Sequence, residues 1–374
     1  MIRQKIFNDR QNLSIGVIDG LLFLVYFLPI DNIIYYAASI SLKFIIVFFD
    51  KNKYTHFYYS FKNNFELYGA ILFAEMLSAL LNGVDPMSSV RTFAFVANIS
   101  ITVCFVSRDY WRGIFFVGIL NALIYLFYVD SGRISDHYGR FMYFNESHFN
   151  LGTEIFMAAA FSSVFIRPGI FSLICNCLFF YCVSLMQGRA GQLSIIISML
   201  LCVNIIIKRN NVHNGFVYVM SAIFLLIASY NYDFFYGLIN DSMRMDDDQR
   251  GAGTNASGRS EYWGTAISVW FDNFVFGAGS DYPSRLGVLQ AHNFFLYPFA
   301  FYGIFGFFIL FFILKRIALS IFLPNFYIIT PMIPMLMFND RFINLNIYPI
   351  VLYLIILTRY DSATVFGIFD EIEK

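Results

Sequence analysis

Apolar runs of roughly 17–22 residues, separated by short polar clusters, recur from one end of the chain to the other. A helix needs about 20 such residues to cross a bilayer core. The runs predict spans at 13–30, 33–49, 65–84, 92–106, 114–128, 151–166, 169–186, 190–207, 215–235, 293–313, 318–338 and 347–358. The expected fold class is an all-α integral membrane protein of about 12 transmembrane helices. Tight turns at Asp31-Asn32 and Arg167-Pro168 predict helical hairpins. Three regions follow: transmembrane helices over 1–235 (about nine), a large loop over 236–291, and C-terminal transmembrane helices over 292–374 (about three).

Composition sharpens this class. Only 13% of residues are charged, against about 25% in soluble domains. A formal net charge of zero gives no basis for binding nucleic acid. The five cysteines all fall within predicted spans and include no CxxC pair, so neither a loop disulfide, a zinc site nor another cofactor is expected. Cys175 and Cys177 should point to different sides of a helix. No cleavable leader with a small-residue cleavage site is evident, so the first span is expected to act as the anchor.

Basic residues orient the helices. With both termini in the cytoplasm, every Lys except the intramembrane Lys43 falls inside. The outer loops then hold arginine alone: Arg91, Arg133, Arg140, Arg189, Arg244, Arg250, Arg259, Arg285 and Arg341. Arginine presents a permanently charged planar fork suited to phosphate. This points to an anion on the outer face, the alternative being arginines that merely occupy short loops.

Charged residues inside spans need partners. Asp19 and Lys43 lie at matching depth on neighbouring spans and predict a structural ion pair. Glu75, deeper in the third span, reads as a hydrogen-bonded structural acid, with proton coupling as the weaker alternative. In the large loop, Asp246, Asp247 and Asp248 read better as a solvated acidic patch than as a cation site. The Gly-rich 251–258 reads as a mobile loop, with a lid as its functional form.

Polar chemistry concentrates between Arg259 and Gly306. Tyr262, Trp263, Ala266, Ile267, Trp270, Phe271 and Phe274 recur at helical spacing, predicting an amphipathic helix lying in the membrane interface. Ser260 is its expected N-cap, and Gly277 and Gly279 its end. Arg259 just before a helix N-terminus suits a phosphate or pyrophosphate. His292 at the mouth of a span is a candidate general base, the plainer reading being an interfacial residue at a helix end. Ala300, Gly303 and Gly306 form a small face for close helix packing. Arg189, between Gly188 and Gly191, is a further anion-binding candidate, or else an interfacial anchor.

Several of these residues fall into one pattern. His292-Asn293, nine residues, then Gly303-x-x-Gly306 resembles the H-[NSQ]-x9-G-x-x-[GTY] signature of O-antigen ligases. Arg189-x3-Leu193 resembles the R-x3-L element of the same superfamily. The G-R-x-x-x-W stretch at Arg259 and the G-x-G after the amphipathic helix are similar to the region shared by bacterial O-antigen polymerases and ligases. The resemblance covers Arg189 to Gly306; the first half agrees in topology only.

This resemblance implies a metal-independent, inverting glycosyltransferase of the inner membrane, acting at the periplasmic face on undecaprenyl-pyrophosphate-linked glycans. It implies that Arg189 and Arg259 hold the donor pyrophosphate and that His292 deprotonates or orients the attacking sugar hydroxyl. Arg285 competes for the second phosphate contact, and Asn293, Tyr262, Trp263 and Arg140 are further candidates for substrate binding. The partners implied are a lipid-linked donor, a glycan acceptor, the bilayer and a chain-length regulator. Composition and the small late loop favour a polymerase; the H-N-x9-GxxG match favours a ligase. A lipid-linked oligosaccharide flippase or other transporter is the reading from another class. It calls for paired broken helices in matching halves, and no such pairing is read here.

Overall fold

A computed structural model describes residues 2–21, 32–130, 149–166, 168–186, 188–209, 259–288, 291, 293–321, 326–338 and 353–354. The described residues are helical throughout, with no strand among them. In chain order the α-helices are α1 (Ile2–Leu21), α2 (Asn32–Phe49), α3 (Lys51–Asn82), α4 (Pro86–Thr102), α5 (Arg108–Asp130), α6 (Phe149–Ser162), α7 (Ile170–Leu185) and α8 (Arg189–Arg209). They continue as α9 (Arg259–Asp272), α10 (Tyr282–Leu286), α11 (Leu296–Tyr302), α12 (Ile304–Ile321) and α13 (Ile333–Phe338). Short 3-10 turns cover Val103–Phe105, Ser163–Phe165 and Phe326–Met332.

Among the described residues, four segments are long and apolar enough to cross a membrane: Lys51–Asn82, Pro86–Phe105, Arg108–Phe127 and Arg189–Arg209. Ile34–Phe49, Thr153–Phe165 and Ile170–Leu185 are shorter apolar helices. The expected span over 215–235, the loop residues 131–148 and 236–258, and the turn residues Asp31 and Arg167 lie outside the described residues.

Local chemistry sets the helix ends. The Asp50 carboxylate accepts from the amides of Asn52, at 2.9 Å, and Lys53, at 3.3 Å, and starts α3. Gly83, at φ 62°, ends it. Asp85 caps α4, with Pro86 in its first turn.

The interior is held by aromatic packing and one buried polar cluster. Trp111 stacks on Phe165 with ring centroids 4.7 Å apart. The expected Asp19–Lys43 ion pair is present at 2.5 Å, with both side chains buried. The Lys43 ammonium also donates to Asn98 (2.8 Å) and Thr102 (2.9 Å), and the Tyr110 hydroxyl donates to Asp19 (2.9 Å). Every charge in the cluster therefore has hydrogen-bonding partners, the condition for tolerating it at this depth. Helices α1 and α5 approach until backbone meets backbone: a Cβ on Gly113 would lie 2.6 Å from the Leu13 carbonyl, and one on Gly16 would strike that of Tyr110. Cys175 is buried and Cys177 exposed, as their spacing on α7 requires.

Three expectations about span boundaries are corrected. The third span is the far part of a helix that already begins at Lys51. The expected span over 293–313 is two helices, α11 and α12, broken at Gly303. Helix α12 runs on to Ile321, so 318–338 is not one span; its later part is a 3-10 turn followed by α13. Both helices outrun their apolar runs for one reason, because they pack together beyond them. Lys315 pairs with Glu66 at 3.4 Å, and the Arg316 guanidinium donates to the Asn63 carbonyl.

Candidate active site

The break in the chain at Gly303 organises the region that carries the candidate residues. Helix α11 has only seven residues, and its entry is fixed by Asn293. The Asn293 side-chain oxygen accepts from the amides of Phe295, at 2.9 Å, and Leu296, at 3.3 Å. Asn293 is buried, and this oxygen caps a helix start. The residue expected to touch substrate thus shapes the backbone immediately after His292.

The exit of α11 leaves carbonyls that need donors. The segment holding Gly277-Ala278-Gly279 supplies them. The Ala278 amide donates to Ala300 O (2.8 Å), and the Gly279 amide to Phe301 O (3.0 Å). The Ile304 amide donates back to Val275 O (3.2 Å). From α3, Ser78 donates to Phe301 O (3.2 Å) and Asn82 to Gly277 O (3.1 Å). A helix interrupted at this depth is tolerated only where its freed backbone groups are satisfied in this way.

The glycines follow from that ladder. Gly303 sits at φ 57°, ψ −129°, a region essentially restricted to glycine. A Cβ there would lie 2.5 Å from Phe274 O and 2.6 Å from Gly277 N. Gly277 has φ 70°, and its Cβ would strike Phe301 O. The small face expected of Ala300, Gly303 and Gly306 is corrected accordingly. Gly303 is the break itself, and Gly306 lets α12 lie against the Pro298 carbonyl of α11.

Beside the ladder, Arg285 is engaged by its own loop. Its guanidinium donates to Ala278 O and lies 3.4 Å from the Asp281 carboxylate. Asp281 in turn accepts from the Asp85 amide at 3.0 Å. These contacts tie α10 to the start of α4. Tyr282 is fully buried with its ring on Phe301, and its hydroxyl has no partner among the described residues. Burial pushes that phenol up to about 12, so it stays protonated.

Below this loop lies Glu75, fully buried. Its carboxylate accepts from Ser89 and Ser280, each at 2.9 Å, and from Tyr302 at 2.7 Å. The hydrogen-bonded acid expected from the sequence is therefore present. Its partners, 205 and 227 residues further along the chain, were not named in that reading.

Arg189 is the first residue of α8 and is half-buried. Cβ atoms on Gly188 and Gly191 would run into Thr153 of α6, so the glycines do permit the close approach expected of them. Further along α8, Ser194 donates to the Pro331 carbonyl, just before α13. Helix α13 receives the Phe294 amide at Leu336 O (3.0 Å). The chain leaving His292 is thus linked through α13 and its 3-10 lead-in to the helix that Arg189 opens.

Arg259 is the first residue of α9, one position further into the helix than expected; its side chain lies outside the described residues. Ser260 is therefore in the first turn and is not the N-cap. Helix α9 ends at Asp272, and Gly277 and Gly279 belong to the ladder that follows. The helix packs on α11 through Trp270, 4.8 Å from the Phe299 ring, with Ala266 and Val269 buried. Ile267, Phe271 and Phe274 form a second apolar face that is exposed, as a helix lying in the lipid interface would present. Tyr262 and Trp263 are half-buried. Trp263 lies one turn beyond Arg259 on the same side of α9.

Helix α9 packs directly on α11, whereas α8 reaches the entry of α11 through the 3-10 turn at Phe326–Met332 and α13. His292 and Arg140 lie outside the described residues, as does the Asp246–Asp248 run. Among the described residues no cluster of three or more His, Cys, Asp or Glu forms a metal site.

These features define a helical membrane protein with a discontinuous helix, joined by a ladder of backbone hydrogen bonds to the segment that follows α9. Residues 174–311 match the O-antigen ligase family model, so this stretch of the chain is similar to that family. The matched stretch runs from α7 into α12 and includes Arg189, Arg259, Arg285, His292 and Asn293. No curated protein matches the chain.

Proposed function

We propose that this protein is an O-antigen polymerase. It joins undecaprenyl-pyrophosphate-linked repeat units at the periplasmic face of the inner membrane, with both termini in the cytoplasm and about 12 spans. The family match over 174–311, which includes the two arginines, the His-Asn pair and the break at Gly303, supports a polymerase or ligase alike; composition and the late loop favour the polymerase. In the proposed reaction His292 takes the proton of an acceptor sugar hydroxyl. That oxygen attacks the anomeric carbon of the donor glycan. The bond from that carbon to the pyrophosphate oxygen breaks, and undecaprenyl pyrophosphate leaves with the electron pair, inverting the centre. Arg189 and Arg259 neutralise the charge that develops on the pyrophosphate.

Of the remaining candidates, Tyr262 and Trp263 suit a sugar face beside Arg259, and Arg140 is kept as a further outer-face contact. Arg285 and Asn293 act through the backbone they hold. The chain-length regulator has no support in the fold or the family match and is left out of the proposal.

Ligase activity is the second reading, favoured by the description of the matched family and by the H-N-x9-GxxG pattern. Deletion and complementation, read as a lipopolysaccharide ladder, separate the two. Loss of a polymerase leaves single-repeat lipopolysaccharide. Loss of a ligase leaves the core bare while lipid-linked polymer accumulates. Normal expression and a normal ladder for His292→Ala would end its assignment as the base.

A further inference from the structure

We infer that Glu75 is a positioning residue for glycosyl transfer, setting the geometry between the Gly277–Arg285 loop and the helix that follows His292. The inference rests on the transferase reading above. Three separate segments converge on one carboxylate. Ser280 comes from the loop, Tyr302 from the last position of α11, and Ser89 from the first turn of α4. All three partners donate a hydroxyl hydrogen bond to the carboxyl oxygens.

Ser280 directly follows the ladder glycines and precedes Asp281, the residue paired with Arg285. Tyr302 immediately precedes the break at Gly303. Helix α11 is about 10 Å long at 1.5 Å per residue, and its other end begins at the Asn293 cap, one residue after His292. A shift at Tyr302 is therefore carried along about two rigid helical turns to the entry of the helix. Glu75 itself stands on α3, which also donates to the ladder through Ser78 and Asn82. The carboxylate thus joins the loop and the broken helix into one body against a continuous helix.

Glu75→Gln tests this without changing shape. The amide oxygen can still accept from both serines, but its NH2 group faces a tyrosine hydroxyl that must turn round to accept. The substrate is lipid-linked oligosaccharide extracted from a strain deleted for this gene. The expected result is a kcat lower by about 10- to 100-fold, the cost of misplacing reacting groups by about an ångström. KM should change by less than about threefold, and the melting midpoint in detergent should stay near wild type. Hydrogen exchange should rise in peptides covering 277–285 and 293–302 and nowhere else. A merely structural acid would shift the midpoint and leave kcat of the folded fraction intact.

Wild-type kcat in folded Glu75→Gln overturns the inference. Should that variant fail to fold, Ser280→Ala and Tyr302→Phe each remove one donor. The inference then requires kcat losses of at least about threefold in both, and is overturned if either keeps wild-type kcat. An inactive wild-type protein in the same assay would refute the transferase reading instead, before Glu75 is at issue.

Discussion

Replacing Gly303 with Ala should be among the costliest single-methyl changes in the protein. Two penalties combine. The backbone at φ 57°, ψ −129° is closed to a residue with a Cβ, and holding one there costs about 1–3 kcal/mol. The added carbon would also lie 2.5 Å from Phe274 O, 2.6 Å from Gly277 N and 2.7 Å from Val275 C. These are backbone atoms and cannot rotate away, so the ladder itself must shift, at a further cost of about 1–3 kcal/mol. Together the loss is about 2–6 kcal/mol, against a typical total stability of about 5–15 kcal/mol. Gly69 of α3 is the control, since a Cβ there meets nothing within 4 Å. Gly69→Ala should be neutral or stabilising by up to about 1 kcal/mol. The assay heats detergent-solubilised protein and measures by size exclusion the fraction still monodisperse. Gly303→Ala should melt well below wild type and Gly69→Ala at or above it. Equal midpoints for the two alanine variants would refute the reading of Gly303 as an obligatory break.

Lys43→Met leaves the Asp19 carboxylate buried without its cation and should cost about 3–5 kcal/mol, whereas the double variant Asp19→Asn/Lys43→Met should recover most of that loss; thermal midpoints of the two variants, measured side by side, decide it. Asn293→Ala removes the acceptor for two amides at the start of α11 and should lower stability by about 1 kcal/mol. Asn293→Ser, which keeps a capping oxygen, should retain more of both the midpoint and the lipopolysaccharide ladder.

The membrane-helical class and the Asp19–Lys43 pair were legible because both depend on what hydrocarbon excludes. Depth along an apolar run is countable from sequence, and a lone charge at that depth demands a partner of opposite sign. The interruption at Gly303 was hidden for the same reason. Phe294 to Phe312 reads as one apolar run, and hydropathy does not register whether its backbone bonds close locally or to the loop at 275–279. The GxxG spacing fits a packing face as well as a break; only the ladder from Ala278 and Gly279 decides between them. Glu75 announced itself as a buried acid, but two of its three donors, Ser280 and Tyr302, come from far along the chain and carry no local signature. For Arg189 and its flanking glycines the signal was local, and the close contact with Thr153 follows it.

Helix α3 has a consequence for the bilayer as a whole. From Lys53, whose ammonium donates to Asn12, to Glu75 it runs 22 residues without a break, about 33 Å at 1.5 Å per residue and close to the hydrocarbon thickness of a typical membrane. One rod therefore fixes the separation between the polar layer at Lys53 and the polar layer around Glu75. In a thinner or thicker bilayer neither layer can move along it, so the mismatch is taken up by tilt or by deforming the lipid. A tilt of α3 would turn the Glu75 junction with it, since the carboxylate stands on that helix.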